Sequence, residues 1–258
     1  MLKLRFIFSE TLLTLGLLFL GLVAVKATGG LRARGSAKEP GRGLVWVRGF
    51  LHTTILVLVV LGARGLAVGL AAGIHAWESE DDITANRVDL AYSNALRAVE
   101  LRPGELDYWK DLSASKFRIG QFASVLKDKP VFQALSGGKL NDETMMRFAY
   151  CHYYLGEYDQ VLPMTEELIR SNHFFAAPYV LEGMTYTAQR KFTQAEQTYL
   201  AVLQVFPSQE SAVEGLAHVH YLMGHPETAQ KVLDETTKFP FAPPSRQRFE
   251  DLKAFYAQ

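Results

Sequence analysis

Residues 176–209 read AAPYVLEGMTYTAQRKFTQAEQTYLAVLQVFPSQ. Their apolar residues recur three or four positions apart, which is typical of helices that bury one face. Arg190 lies at a turn position between two such stretches, and Pro207 follows the second stretch. The segment therefore predicts a hairpin of two helices.

The same pattern occurs in the flanking segments at a period of 34 residues, so that residues 142–175, 176–209 and 210–243 align. Positions where two helices would approach closely, or where the turn between them would lie, come into register. The aligned sets are Ala149, Gly183 and Ala217; Tyr158, Phe192 and Pro226; and Val161, Ala195 and Ala229. A fixed period of this length indicates stacked hairpins that share one continuous core.

In its pattern of bulky, small and aromatic residues, the chain resembles the tetratricopeptide repeat (TPR) family. The middle repeat carries the signature at Tyr179, Gly183, Tyr186, Phe192, Ala195, Tyr199 and Pro207. The flanking repeats depart from it at His152, His173 and His220, and the last repeat shifts its proline to Pro240. The resemblance implies an all-α solenoid.

The resemblance covers roughly residues 82–258, within a solenoid domain predicted at residues 78–258 with about four to five helical hairpins. Residues 82–141 read as degenerate repeats, and an irregular stretch around Pro130 predicts a distorted helix and a loop before Asp142. Residues 244–258 place Phe249 and Leu252 on one face, so they predict a C-terminal capping helix.

Residues 1–77 predict a transmembrane hairpin of two helices. The first apolar stretch is TLLTLGLLFLGLVAV at residues 11–25, and the second, residues 50–77, is longer than one span requires. A cleavable signal peptide is the alternative for the first stretch, because Lys3 and Arg5 give it a basic start.

The loop between the two stretches, residues 26–48, is basic and rich in glycine. Its charges are Lys26, Arg32, Arg34, Lys38, Arg42 and Arg48 against the single acid Glu39. The positive-inside rule makes this loop cytoplasmic, although Lys3 and Arg5 act weakly in the opposite sense. We therefore expect a two-span protein of a bacterial inner membrane, with the TPR domain on the extracytoplasmic side and Trp46 and Trp77 as interfacial anchors.

The second stretch carries small residues four positions apart, Gly65, Gly69 and Gly73, which lets another membrane helix approach closely. Glu10 and Arg64 lie at similar distances from the loop, so they could pair within the hairpin. The alternative is that Glu10 reaches the membrane surface and Arg64 faces a partner subunit.

The resemblance also implies a concave face lined by the first helix of each repeat. Carried over residue by residue, it gives three stripes. They are Met146, Tyr150 and Tyr153; Val180, Met184 and Thr187; and Glu214, His218 and Tyr221. Aromatic and methionine side chains with few charges suit a hydrophobic groove for a peptide or partner helix. The alternative for single members is a place in the core.

A formal net charge of zero argues against nucleic-acid binding. The single cysteine, Cys151, cannot form an internal disulfide, and the histidines follow no metal-binding or catalytic spacing. We therefore expect neither catalysis nor a cofactor or metal. Two hypotheses remain: a scaffold or assembly factor that binds a protein in the groove, and a structural accessory subunit that also docks through the second span.

Overall fold

The computed structural model describes residues 42–235 and 241–257, with side chains from residue 53 onward. Within those ranges all regular secondary structure is helical. The chain divides into two compact units, residues 1–115 and residues 116–258. The predicted first span, Glu10, Pro240 and most of the basic loop lie outside the described residues.

The first unit contains α1 (Arg42–Thr84), α2 (Val88–Leu101) and most of α3 (Leu106–Arg118). Helix α1 is 43 residues long and runs without interruption through the second apolar stretch into the segment of degenerate repeats. Because it begins at Arg42, the last part of the predicted loop, residues 42–48, is helical.

Small side chains join α1 to α2. Ala72, Ala76 and Ser79 are buried on one face of α1, and Ala91 and Ala95 are buried on α2. The Ser79 hydroxyl donates a hydrogen bond of 2.9 Å to the carbonyl of Ala91. Since neither helix presents a bulky side chain here, the two backbones can pack closely.

A polar network closes the end of this hairpin. The carboxylate of Asp82, which is buried, accepts hydrogen bonds from Arg87 at 2.7 Å and from the Asn94 amide at 3.0 Å. The Asn94 carbonyl oxygen lies 3.2 Å from Nδ1 of His75. These contacts satisfy the buried carboxylate, which would otherwise destabilise the hairpin.

Within the described part of the chain, one helix is long and apolar enough to cross a membrane. It is the Thr53–Thr84 portion of α1, with a mean hydropathy of 2.3 in its most apolar window. Large apolar side chains are exposed along it, among them Leu58, Leu61 and Leu70. Helix α2 covers only the last part of this portion, so most of α1 has no covering helix among the described residues.

The second unit repeats one motif. Its helices are α4 (Phe122–Lys127), α5 (Lys129–Leu135), α6 (Asp142–Tyr154), α7 (Tyr158–Ser171), α8 (Ala176–Ala188), α9 (Phe192–Val205), α10 (Glu210–Leu222), α11 (Pro226–Asp234) and α12 (Pro243–Tyr256). Helices α6, α8 and α10 begin at the first residue of each 34-residue segment. The irregular stretch around Pro130 forms two short helices, because the chain breaks at Asp128. The prediction of an all-helical, TPR-like solenoid is confirmed.

The turn inside each 34-residue hairpin has, at the same position, a residue in the left-handed backbone conformation. Gly156, Arg190 and Gly224 have φ angles of 76°, 59° and 81°. In each turn the following amide bonds back to the first helix; for example, Lys191 N donates to Tyr186 O at 2.9 Å. This arrangement satisfies carbonyls that the helix end leaves open, and it favours glycine because a Cβ is strained in the left-handed region.

Replacing Arg190 with glycine should therefore stabilise the protein. A left-handed conformation costs an L-residue about 1–2 kcal/mol, and the extra freedom of glycine in the unfolded chain offsets part of this gain. We expect Arg190→Gly to raise the free energy of unfolding by about 0.5–1 kcal/mol in urea titrations. The matched control, Gly156→Ala, should lower it, and a loss of stability in Arg190→Gly would contradict this account.

The ring of Tyr199, on α9, fills the space between α8 and α10, which are the first helices of two successive hairpins. Its side chain is 1% exposed. A Cβ built on Gly183 of α8 would lie 2.7 Å from its Cε1 atom, and a Cβ built on Gly215 of α10 would lie 2.5 Å from the same atom. The Tyr199 hydroxyl also hydrogen-bonds the side chain of Thr187. The two glycines thus make room for one ring that joins three successive helices.

Replacing Gly215 with alanine should destabilise the protein by about 1–3 kcal/mol, the usual range for overpacking. Alanine is the better helix former by about 1 kcal/mol, so a net loss would show that the contact with Tyr199 decides the sign. Urea unfolding followed by circular dichroism measures the effect.

The control for this prediction is Gly104→Ala, because a Cβ at Gly104 meets nothing within 4 Å. Combining Gly215→Ala with Tyr199→Leu should reduce the loss attributable to Gly215, since the smaller side chain leaves space. An unchanged loss in that background would refute the steric explanation.

Candidate functional site

Six aromatic rings form a continuous cluster in the second unit. We call it the aromatic cluster; its members are Phe117, Phe122, Tyr150, Tyr153, Tyr154 and Tyr158. Phe122 stacks on Tyr154 with ring centroids 4.6 Å apart, and Phe117 meets Phe122 edge to face at 5.4 Å. Tyr154 is 53% exposed, so the cluster presents aromatic surface to solvent.

A hollow of about 430 Å³ adjoins the aromatic cluster. It is lined by Phe117, Asp142, Glu143, Met146, Arg147, Tyr150, Asn172 and Phe175. Arg147 donates a hydrogen bond to Glu143 at 2.8 Å, with 12% of its side chain exposed. The hollow therefore combines apolar walls with an ion pair, which is the usual composition of a site that binds a partner side chain.

Tyr150 and Tyr153 are neutral at physiological pH. Burial raises the pKa of Tyr150 and of Tyr153 above its ordinary value, and neighbouring tyrosines act in the same direction. Their hydroxyl groups therefore remain hydrogen-bond donors beside an apolar ring. Such side chains offer both contact area and polar pairing to a protein partner.

The first two predicted stripes are partly core. Met146 and Val180 are 6% and 3% exposed, and they belong to hydrophobic clusters under the surface. Tyr150, Tyr153 and Met184 are half-buried. Thr187 donates to the carbonyl of Gly183 at 2.8 Å, so its hydroxyl is turned toward its own helix. Met146 lines the hollow, and Tyr150 and Tyr153 belong to the aromatic cluster.

The C-terminal helix covers much of the third stripe. Tyr221 stacks on Tyr256 of α12 with centroids 4.7 Å apart. Arg248 of α12 donates hydrogen bonds to Glu214 and, at 2.9 Å, to Glu210. His218 stays exposed. Glu214 and Tyr221 therefore contact the capping helix instead of lining an open groove.

Apolar burial, and not the ion pairs, should hold α12 in place. Phe249 is 1% exposed and packs against Phe241, whereas Arg248 is 51% exposed at its side chain. Phe249→Ala should lower the free energy of unfolding by about 3–5 kcal/mol. Arg248→Ala should lower it by less than about 1 kcal/mol, because exposed ion pairs contribute little.

Urea unfolding measures both variants, and hydrogen exchange within residues 243–256 reports the docking of α12 directly. Equal losses in the two variants would show that the ion pairs matter more than this account allows.

The predicted packing residues of the second span lie on exposed and half-buried parts of α1. Gly65 and Arg64 are exposed, and a Cβ on Gly65 would meet nothing within 4 Å. Gly69 and Gly73 are half-buried. The pairing of Arg64 with Glu10 stays a prediction, because Glu10 lies outside the described residues.

Sequence reasoning missed several residues of the site. Phe117 and Phe175 lie outside the stripes that the family resemblance supplies, and Tyr154 is one position beyond the last stripe residue of α6. The run YCHYY at residues 150–154 did carry a signal for Tyr154, because residues four apart share a helix face. Phe117 carried no comparable signal, since its segment is the most degenerate of the repeats.

Known structures were compared with this chain. No protein-family model matches the sequence, and no curated protein sequence matches it. A tetratricopeptide repeat protein from Parabacteroides merdae is similar in structure, with a TM-score of 0.64, 11% identity, and coverage of 81% of this chain and 84% of that chain. The thermophilic TPR protein TTC0263 of Thermus thermophilus has a TM-score of 0.56 at 16% identity, covering 70% of this chain and 98% of that one.

A further similar structure is MamA from Desulfovibrio magneticus, residues 41 to the end. It has a TM-score of 0.56 and 11% identity, and it covers 65% of this chain and 94% of that chain. At these identities the likeness shows the fold alone. The chain therefore has the fold of the tetratricopeptide-repeat proteins.

Proposed function

We propose that this protein is a membrane-anchored scaffold or assembly factor that binds a segment of another protein at the aromatic cluster and the adjoining hollow. The observation that carries the proposal is the exposed aromatic surface around Tyr154 on a TPR-type solenoid. Solenoid folds present extended surfaces of this kind for protein binding.

The composition of the site favours a protein partner. Tyrosine, phenylalanine, methionine and arginine are the residue types enriched at the centres of protein interfaces. Tyr150, Met146 and Arg147 meet at the hollow, and Leu155, 40% exposed, extends the apolar surface beyond Tyr154. An apolar side chain of the partner would fill the hollow, and the Arg147–Glu143 pair at its rim would select the polar groups beside it.

Helix α1 supports the membrane anchor. Its exposed apolar side chains have no cover among the described residues, and lipid would cover them. The basic residues from Lys26 to Arg48 favour a cytoplasmic location for residues 26–48, the last seven of which form the start of α1. On this proposal the solenoid lies on the extracytoplasmic side of a bacterial inner membrane.

A structural accessory subunit of a larger membrane complex is the second candidate. The open surface at Gly65 favours it, because another membrane helix could approach α1 closely there. In that case the strongest contacts would be made by α1, and the aromatic cluster would contribute less.

Site-specific photo-cross-linking tests the proposal. A photoreactive phenylalanine analogue replaces Tyr154 in the full-length protein in its native membrane, and the adducts are identified by mass spectrometry. We expect a discrete protein adduct at position 154, reduced at least about fivefold by Tyr150→Ala in the same chain, since a central aromatic residue contributes 1 kcal/mol or more to binding.

The matched control places the same analogue at Phe255 of α12, which is 52% exposed and lies outside both the aromatic cluster and the hollow. It should give no discrete adduct. In a third variant the analogue replaces Gly65. An absence of adducts at position 154, together with strong adducts at position 65, would contradict binding at the aromatic cluster and favour the accessory-subunit candidate.

A further inference from the structure

A stripe of large apolar side chains continues along α1 beyond the point where α2 begins to pack. Its members are Leu66, Leu70, Ile74 and Trp77, with exposed fractions of 38%, 54%, 48% and 68%. We call it the α1 stripe. Its spacings of four, four and three residues place all members on one helix face, over a length of about 17 Å along the helix axis.

The opposite face of the same turns is covered by α2. Ala72, Ala76 and Ser79 are buried there, and Asn94 approaches His75 at 3.2 Å. The outer surface of α2 is polar toward its end, since Arg97 and Glu100 are more than half exposed and pair at 3.0 Å, whereas Leu90 is exposed near its start. The hairpin therefore has an apolar side, formed by the α1 stripe, and a side with exposed charged residues on α2.

The residues at the two ends of the α1 stripe indicate what covers it. On its amino-terminal side it continues into the exposed apolar side chains of the proposed span, such as Leu58. At its other end it stops at Trp77, a residue type enriched at membrane interfaces, and Glu80 and Asp81 follow, both exposed. The same order of apolar, tryptophan and acidic residues is expected where a helix leaves lipid for water.

We propose that the α1 stripe is covered by membrane lipid, so that the first hairpin lies against the outer leaflet with α2 facing water. This inference rests on the proposed membrane anchor. A tilted helix leaves the hydrocarbon earlier on its upper side than on its lower side, and tilting is the usual response to an apolar stretch longer than the bilayer requires. A tilt of α1 would therefore accommodate an apolar segment before Trp77 that is longer than one span requires.

Thiol labelling of the full-length protein in lipid nanodiscs that hold one copy each tests the proposal. The native Cys151 gives no background, because it is buried and burial raises its pKa to about 12. Single substitutions Leu58→Cys, Ile74→Cys and Ser93→Cys are treated with a charged maleimide. Ser93 is exposed on α2 at the level of Trp77 and serves as the matched control.

We expect Ile74→Cys to react at least about tenfold more slowly than Ser93→Cys, as Leu58→Cys should, because a charged reagent does not enter hydrocarbon. Equal rates at positions 74 and 93, with slow labelling at 58, would overturn the lipid contact and leave the anchor intact. Rapid labelling at 58 as well would overturn both. Since each disc holds one copy, a second copy cannot produce the protection.

Discussion

The second unit depends on the packing of successive first helices, and between α8 and α10 the absence of a side chain at Gly183 and Gly215 makes room for the ring of Tyr199 that joins them. A single hairpin of this length cannot bury enough apolar surface to be stable alone. Here one buried aromatic side chain contacts the first helix of its own hairpin and the first helix of the next hairpin, so that the two hairpins share one core. The aromatic cluster rests on the neighbouring core of Met146, Ala149 and Leu181, against which Tyr150 and Tyr153 pack.

The same constraint determines which predicted residues could reach a partner. Every third or fourth position of a first helix contacts either the second helix of its own hairpin or the next first helix. Met146 and Val180 are buried for this reason, and α12 takes the place of a next repeat over Glu214 and Tyr221. The proposed binding surface is therefore concentrated at Phe117, α4 and α6 in the second unit, where Tyr154 and the hollow lie side by side.

Much of the fold could be predicted from the sequence, because a period of 34 residues fixes where each hairpin begins. Asn141 shows how local chemistry sets such a boundary, since its side chain accepts a hydrogen bond from Thr144 N at 2.9 Å and so caps α6. The continuation of α1 through its apolar stretch into the first hairpin was less predictable. Ala72 and Ala76 suit either a membrane helix or close packing against α2, and the sequence pattern alone does not separate the two. The contribution of Phe117 depends on tertiary packing that no local pattern reports.

Hydroxyl-radical footprinting tests the central claim, that the aromatic cluster binds a protein while α1 anchors the chain in a membrane. Side-chain oxidation would be compared between native membranes, where the partner is present, and nanodiscs that hold the purified protein. The account predicts that Tyr150 and Tyr154 are oxidised more slowly in native membranes, while Phe255 on α12 is oxidised at the same rate in both. Equal oxidation of Tyr154 in the two preparations would contradict it.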